Sequence, residues 1–326
     1  MRQSNKTELQ WIPKIGRHLA IKHTIRLEMK AIVLLNSGAG TFDAMHGKQG
    51  ARAVADAFLA VGVEADVRVV VGKRLPAETQ AAAASAVDVV VAGGGDGTLS
   101  TVAGVLVGKQ APLGILPLGT LNHFARDLGI PLDLEGAARV IAAKHIESVD
   151  VGEVNGRIFI NNSSLGIYPR VVLERDTLRS RHRLSKWTAL AMAVIKVFRR
   201  FPMVQVRIAT DTDTILRKTP FVFVGNNCYQ LDLLNIGRRA RLDRGEMSLH
   251  IANAQDRWGV LMLTLRALFG RLEQARDFET FYLSSCSIET RRHRLHVAVD
   301  GEVMKLKPPL RYQIHARALR VCVPGE

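Results

Sequence analysis

Two glycine-rich stretches carry the residue types that could handle phosphate. The first is Val89-Val90-Val91-Ala92-Gly93-Gly94-Gly95-Asp96-Gly97-Thr98-Leu99. An apolar, β-branched run stops at three glycines, and a helix-compatible segment follows. That is the pattern of a buried parallel strand, a tight turn and a helix start. Glycines let the backbone approach a ligand closely, and the free N–H groups of a helix start suit phosphate. Asp96 in such a turn would repel phosphate unless a cation or a proton-bearing group lies between. The turn therefore asks for a nucleotide with its metal, or for a catalytic Asp96. A plain glycine-rich turn accounts for this stretch about as well, because short glycine motifs are weak signals.

The second stretch, Pro112 to Leu128, repeats the plan: a short apolar strand, then Gly119-Thr120-Leu121-Asn122-His123 opening a helix. Two strand ends then present a glycine–threonine pair at one sheet edge, where open α/β sheets bind ligands. Asn36-Ser37-Gly38-Ala39-Gly40, after the apolar run Ile32 to Leu35, adds a third turn at that edge. The candidate phosphate and nucleotide contacts are Asn36, Ser37, Gly38, Gly40, Gly93, Gly94, Gly95, Asp96, Gly97, Thr98, Gly119, Thr120 and Asn122. Asn122 could hold ribose or phosphate through its amide, or serve only as a helix-start residue. No glycine-lysine-serine phosphate loop is present, so the 93–98 turn is the expected cradle. Far downstream, Asp300-Gly301-Glu302 lies between two apolar runs, which also suits a simple hairpin turn.

Taken together, these motifs resemble the diacylglycerol kinase catalytic domain family of bacterial lipid kinases and of sphingosine and ceramide kinases. Gly94-Gly95-Asp96-Gly97-Thr98, Pro117-Leu118-Gly119-Thr120-Leu121-Asn122, Asn36 to Gly40 and Val299 to Glu302 occur in the family's order and at about its spacing, from about residue 30 to the end. The resemblance implies an ATP- and Mg²⁺-dependent kinase with a diacylglycerol-like lipid as acceptor. It implies Glu302 as proton acceptor and Asp300 as its supporting carboxylate, with Asp96 competing for the role or acting through magnesium. The chain departs from the family at His123, where an aspartate is usual, and at Ser100-Thr101, where asparagine-glutamate is usual. Around the family's structural magnesium site, the matching segment is Arg241-Leu242-Asp243-Arg244-Gly245-Glu246, with Asp243 one place early. No metal ligand is therefore assigned. The phosphofructokinase and NAD kinase families share the glycine-aspartate-glycine turn and supply a soluble-kinase alternative. A catalytically lapsed lipid- or nucleotide-binding module is the non-enzyme alternative.

The elements that must position these residues follow from periodicity. Strands and helices alternate from Ile32 to Ala143, the sign of βαβ crossovers and a parallel sheet. Expected helices are 42–59, 76–86 and 132–143, with one starting near Leu121. From Ile146 onward short strands dominate, beginning with a hairpin at Asn155-Gly156. The expected fold is an N-terminal parallel α/β nucleotide-binding domain over residues 29–150, of phosphofructokinase or NAD kinase type. A C-terminal antiparallel β-sandwich domain takes residues 151–316. The resemblance implies that the last strand, about 317–326, returns to the first domain.

Residues 1–28 form a basic leader without the apolar core of a signal peptide, expected to be disordered, with a small amphipathic anchor as the alternative. Deleting them is expected to leave folding and nucleotide binding intact. The 326 residues carry a formal net charge of +15, which points to an anionic partner. Few aromatics and no zinc-finger spacing argue against nucleic acid and favour an anionic membrane surface. Arg179 to Arg200 and Asp256 to Arg276 read as basic amphipathic helices able to lie in a membrane interface or to cover the sandwich. No apolar run is long enough to span a bilayer. Three scattered cysteines fit a reducing cytoplasm. The expected location is cytoplasmic and peripheral at the inner membrane face. A homodimer is an open expectation.

Overall fold

The structure, a computed structural model, describes residues 29–38, 48–182, 203–210, 213–228, 241–254, 259–260 and 277–325, together with Thr188, Met192 and Lys196. The leader 1–28, the Ala39-Gly40 half of the first turn, most of 183–200 and most of 255–276 lie outside these residues, and so do the readings made on them.

The first half alternates as its periodicity predicts. Its elements are β1 (Met29–Asn36), α1 (Lys48–Ala60), β2 (Val63–Val70), α2 (Leu75–Ala83), β3 (Val89–Gly94), α3 (Asp96–Leu106), β4 (Leu113–Pro117), α4 (His123–Asp127) and α5 (Leu134–Ala142). β3 and β4 are buried along their whole length, which is why they read as unbroken apolar runs rather than alternating ones. The strands β2, β1, β3 and β4 pair in parallel in that order. Their carboxyl ends bring the three glycine-bearing turns to one edge.

The second half begins with β5 (Ile146–Val154), β6 (Arg157–Phe159), β7 (Asn162–Gly166) and α6 (Ile167–His182). It continues with β8 (Val204–Ala209), β9 (Thr214–Thr219), β10 (Phe221–Asn226), β11 (Met247–Ala252), β12 (Phe278–Leu283), β13 (Ser285–Thr290), β14 (Leu295–Val299), β15 (Glu302–Leu306) and β16 (Leu310–Cys322). One antiparallel sheet runs β12-β11-β10-β7-β14-β15. Its inner face packs Leu165, Val222, Val224, Leu249, Val297 and Val299 against Val206, Ile208, Ile288 and Tyr312 of the facing strands.

Those facing strands continue the parallel sheet of the first half: the order β2-β1-β3-β4-β16-β13-β8-β9 forms one sheet, with β5 and β6 attached beside β16. Thirteen-residue β16 makes the join. Its first part pairs with β13, its end meets β4 in parallel at Val321 and Leu113, and β5 lies along both parts. The division near residue 150 therefore falls inside β5 rather than in a linker. Residues 278–290 form two strands: β12 ends at Leu283 in one sheet, and after Ser284 β13 begins in the other. Strand changes of this kind make the corners of sandwiches. β9 is an added strand, paired along its whole length with β8.

Candidate active site

The first turn is built on Asn36 at the end of β1. Its Oδ1 accepts the Gly38 N–H at 3.1 Å, and its Nδ2 donates to the buried Thr98 Oγ1 at 2.9 Å. Thus the side chains of Asn36 and Thr98 lock the first turn onto α3. Ser37 N–H returns to Val70 O at 3.0 Å. In the second turn, Gly95 is the N-cap of α3, and Thr98 and Leu99 N–H donate to its carbonyl. Gly94 lies directly beneath Thr98, where a Cβ would collide with the threonine hydroxyl.

The third turn docks on the second, backbone to backbone. Leu118 N–H donates to Gly94 O at 3.1 Å, and a Cβ on Gly119 would run into the Gly95 Cα. Asn122, at φ 51° and buried, holds this turn from within. Its Nδ2 donates to Pro117 O and Gly119 O at 3.0 and 2.9 Å, and its Oδ1 accepts Gly119 N–H at 3.0 Å. Its amide is therefore engaged within the turn and makes no side-chain cap to α4. Thr120 is exposed beside it. A cavity of about 350 Å³ opens between this turn, α1 and α5, lined by Val54, Leu118, Gly119, Thr120, Arg126 and Leu132 among others.

Asp96 does not point into open space. Its Oδ2 accepts His123 N–H at 3.2 Å, and its Oδ1 accepts Phe124 N–H at 3.1 Å and Asn161 Nδ2 at 3.3 Å. One carboxylate thus ties the second turn to the start of α4 and to the β6–β7 connection.

Asp300-Gly301 forms the β14–β15 turn, with φ of 46° and 84°, as a two-residue hairpin of this twist requires. The turn is more than a hairpin. The Asp300 carboxylate accepts the N–H groups of Ile160, Asn161 and Asn162, each at 2.9 Å. Burial pushes the Asp300 carboxyl above its ordinary range, opposed by the Ser100 hydroxyl and these three N–H groups. Glu302, by contrast, is exposed. Its Oε1 stands 3.0 Å from where a Cβ of Gly97 would be, so the carboxylate lies close against the start of α3.

The fold thus gathers Asn36, Ser37, Gly38, Gly93 to Thr98, Gly119, Thr120, Asn122, Asp300 and Glu302 around one cleft; Gly40 lies outside the described residues. Asn161, Asn162 and Ser100 join them and were missed by sequence reasoning. The pair of asparagines straight after a short strand was the available signal, since asparagine favours such turns.

The 241–246 segment does not fit a divalent cation. Asp243 is gripped by Arg241, whose Nε and NH2 lie 3.0 Å from the two carboxylate oxygens, and Arg317 approaches to 3.6 Å. The Arg241 guanidinium, with Arg317 behind it, holds the Asp243 carboxyl below its usual range. The turn is fastened to the core by buried Asp150, which accepts Gly245 N–H at 2.6 Å and Arg317 N–H at 2.7 Å. Among the described residues no three His, Cys, Asp or Glu side chains converge as a metal site.

Comparison with known proteins places the chain in a family. The diacylglycerol kinase catalytic domain family matches residues 30–154. A diacylglycerol kinase of Staphylococcus haemolyticus is 30% identical over 248 residues, 73% of this chain and 72% of that relative. One from Staphylococcus aureus is 32% identical over 223 residues, 66% of this chain and 68% of its own length. A diacylglycerol kinase structure from Bacillus anthracis shares the fold with a TM-score of 0.64 at 19% identity, covering 91% of this chain and 97% of that one. Another structure from the same strain reaches 0.70 at 22% identity with the same coverage. The chain belongs to the diacylglycerol kinase catalytic domain family.

Proposed function

We propose that this chain is a lipid kinase that transfers the γ-phosphoryl group of ATP to the hydroxyl of a diacylglycerol-like lipid, working peripherally at the cytoplasmic face of the membrane. The observation that carries the reading is the meeting of Glu302 with Gly97. An exposed carboxylate from the second half of the chain lies against the helix start that ends the phosphate turn. Phosphoryl transfer needs cradled phosphates, neutralised charge and a base for the attacking hydroxyl.

The roles divide by how each side chain is already engaged. The N–H groups at the start of α3 face the nucleotide phosphates, with exposed Thr120 beside them. Magnesium carried by ATP would neutralise phosphate charge at this turn. Glu302, which the fold leaves exposed, accepts the hydroxyl proton as the oxygen attacks phosphorus. Asp300 is a positioning residue: its bonds to the 160–162 backbone fix the turn from which Glu302 projects. Asp96 holds α4 and the third turn in place. Asn36 and Asn122 shape the turns and leave phosphate contact to the backbone.

Radiolabelled ATP, the full-length protein and a panel of lipids test the reading. Label should enter a lipid carrying a free hydroxyl, and only when Mg²⁺ or a similar cation is supplied. Label in NAD or a sugar would select a soluble kinase instead, and transfer to no acceptor would mean a binding module.

A further inference from the structure

The β13–β14 loop, Arg291-Arg292-His293-Arg294, is exposed throughout. With Thr290, Lys307 and Pro308 it lines an open cavity of about 580 Å³. Thr290 Oγ1 accepts Arg292 N–H at 3.2 Å, which shapes the bend. Among the described residues no carboxylate forms an ion pair with Arg291, Arg292, Arg294 or Lys307. The acid nearest in sequence, Glu289, pairs across the ladder with Arg207. Cations left together without counter-charges repel one another, and an anion laid over them relieves that repulsion.

The placement of this cluster gives it a direction. β15 is the edge strand of the six-stranded sheet, and its exposed Lys305 lies opposite His296 on β14. Burial, and then the charges of Lys305 and Arg170, push the His296 imidazole below its ordinary range, and the exposed Lys305 ammonium itself extends the cations along the edge. β14 has five residues, so at about 3.4 Å per residue the basic loop sits roughly 17 Å from the Glu302 turn. Edge lysines commonly guard against strand pairing. That accounts for Lys305, and not for three arginines in a loop off the ladder.

We infer that the β14–β15 edge, from Arg291, Arg292 and Arg294 through Lys307 and Lys305, docks on the phosphate groups of an anionic lipid bilayer. Laid flat, this edge puts the basic loop and the Glu302 turn at the same membrane level, so the docked enzyme meets its acceptor at the cleft. The inference rests on the lipid-kinase reading for its choice of a bilayer over other polyanions.

The test is co-sedimentation of the full-length protein with phosphatidylglycerol–phosphatidylcholine vesicles, without ATP. Replacing Arg291, Arg292, Arg294 and Lys307 together by glutamine should lower partitioning about tenfold or more. Arg→Lys at 291, 292 and 294 keeps the charge and should retain binding, which separates charge from folding damage. Turnover of a dispersed short-chain diacylglycerol should not change in either variant. Unchanged partitioning of the glutamine variant overturns the inference. So does a defect confined to binding of inorganic phosphate or of a duplex oligonucleotide. Should the wild type phosphorylate no lipid while the vesicle difference persists, the kinase reading fails and the docking surface stands.

Discussion

At the scale of single residues, the cleft separates carboxylates that are engaged from the one left exposed. Glu302→Gln keeps the shape and removes the basic oxygen. It should lower kcat by about 10²–10⁴ with ATP affinity nearly unchanged, the signature of a group acting in the transition state. Calorimetric ATP binding beside the phosphorylation rate checks this, and near-normal turnover would move the base elsewhere. Asp96→Asn should behave differently, because its oxygens accept two backbone N–H groups and the Asn161 amide. An amide there turns an NH₂ toward a donor, at a cost of about 1–3 kcal/mol for the group left unsatisfied. The expected outcome is a lower Tm and weaker ATP binding, both measurable before any turnover assay. Gly119→Ala pushes the Gly95 backbone away. Overpacking of this kind costs about 1–3 kcal/mol, and thermal melts with and without ATP should show both a lower Tm and a smaller ATP-induced rise.

At the scale of elements, connections are held by side chains that reach between them. Asp150 joins the 241–246 turn to β16, and Asp300 joins the β14–β15 turn to the β6–β7 connection. In the 241–246 turn, arginine takes the place a cation would hold, since Asp243 already has its positive partners. A ligand that binds only the folded state raises its stability, so removing it must show. Chelator added to the ATP-free protein should therefore leave Tm unchanged, although turnover still needs Mg²⁺. A fall of several degrees, reversed by added Mg²⁺, would reveal a structural cation.

At the scale of the whole molecule, acid should unfold the protein partly through His250. This ring is fully buried on β11, between Phe223 and Phe278, with Nδ1 against Thr280 Oγ1 at 3.0 Å and, among the described residues, no partner for Nε2. Burial pushes its pKa down to about 4. The unfolded chain therefore binds a proton that the native state refuses between pH 6.5 and 4. Stability is whole above pH 6.5 and falls through that window, by about 3 kcal/mol in total from this group. Urea unfolding from pH 7 to 4 should show the slope, and His250→Gln should flatten it. An equal slope in the variant would assign the acid sensitivity to other groups. Asp300, whose carboxyl is pushed up by burial, contributes with the opposite sign, favouring the folded state as the pH falls.

The parallel half was legible in the chain because buried strands and helices alternate there, and period, turn glycines and capping positions are local properties. The motif residues were legible for the same reason, since only glycine tolerates the closeness that Gly94 and Gly119 show. What each motif side chain does was decided by the tertiary structure. Asp96 has the same neighbours in sequence whether it faces a metal or the N–H groups of α4, and distant packing chose the latter. Asn122 turned inward, Asn161 entered the site from the second half, and Glu302 came to rest against Gly97. The single sheet shared by both halves depends on pairing of β16 with strands far away in sequence, which no local period encodes. Side-chain alternation marks β13 as a strand; only the two sheets that β12 and β13 join explain why the chain turns at Ser284.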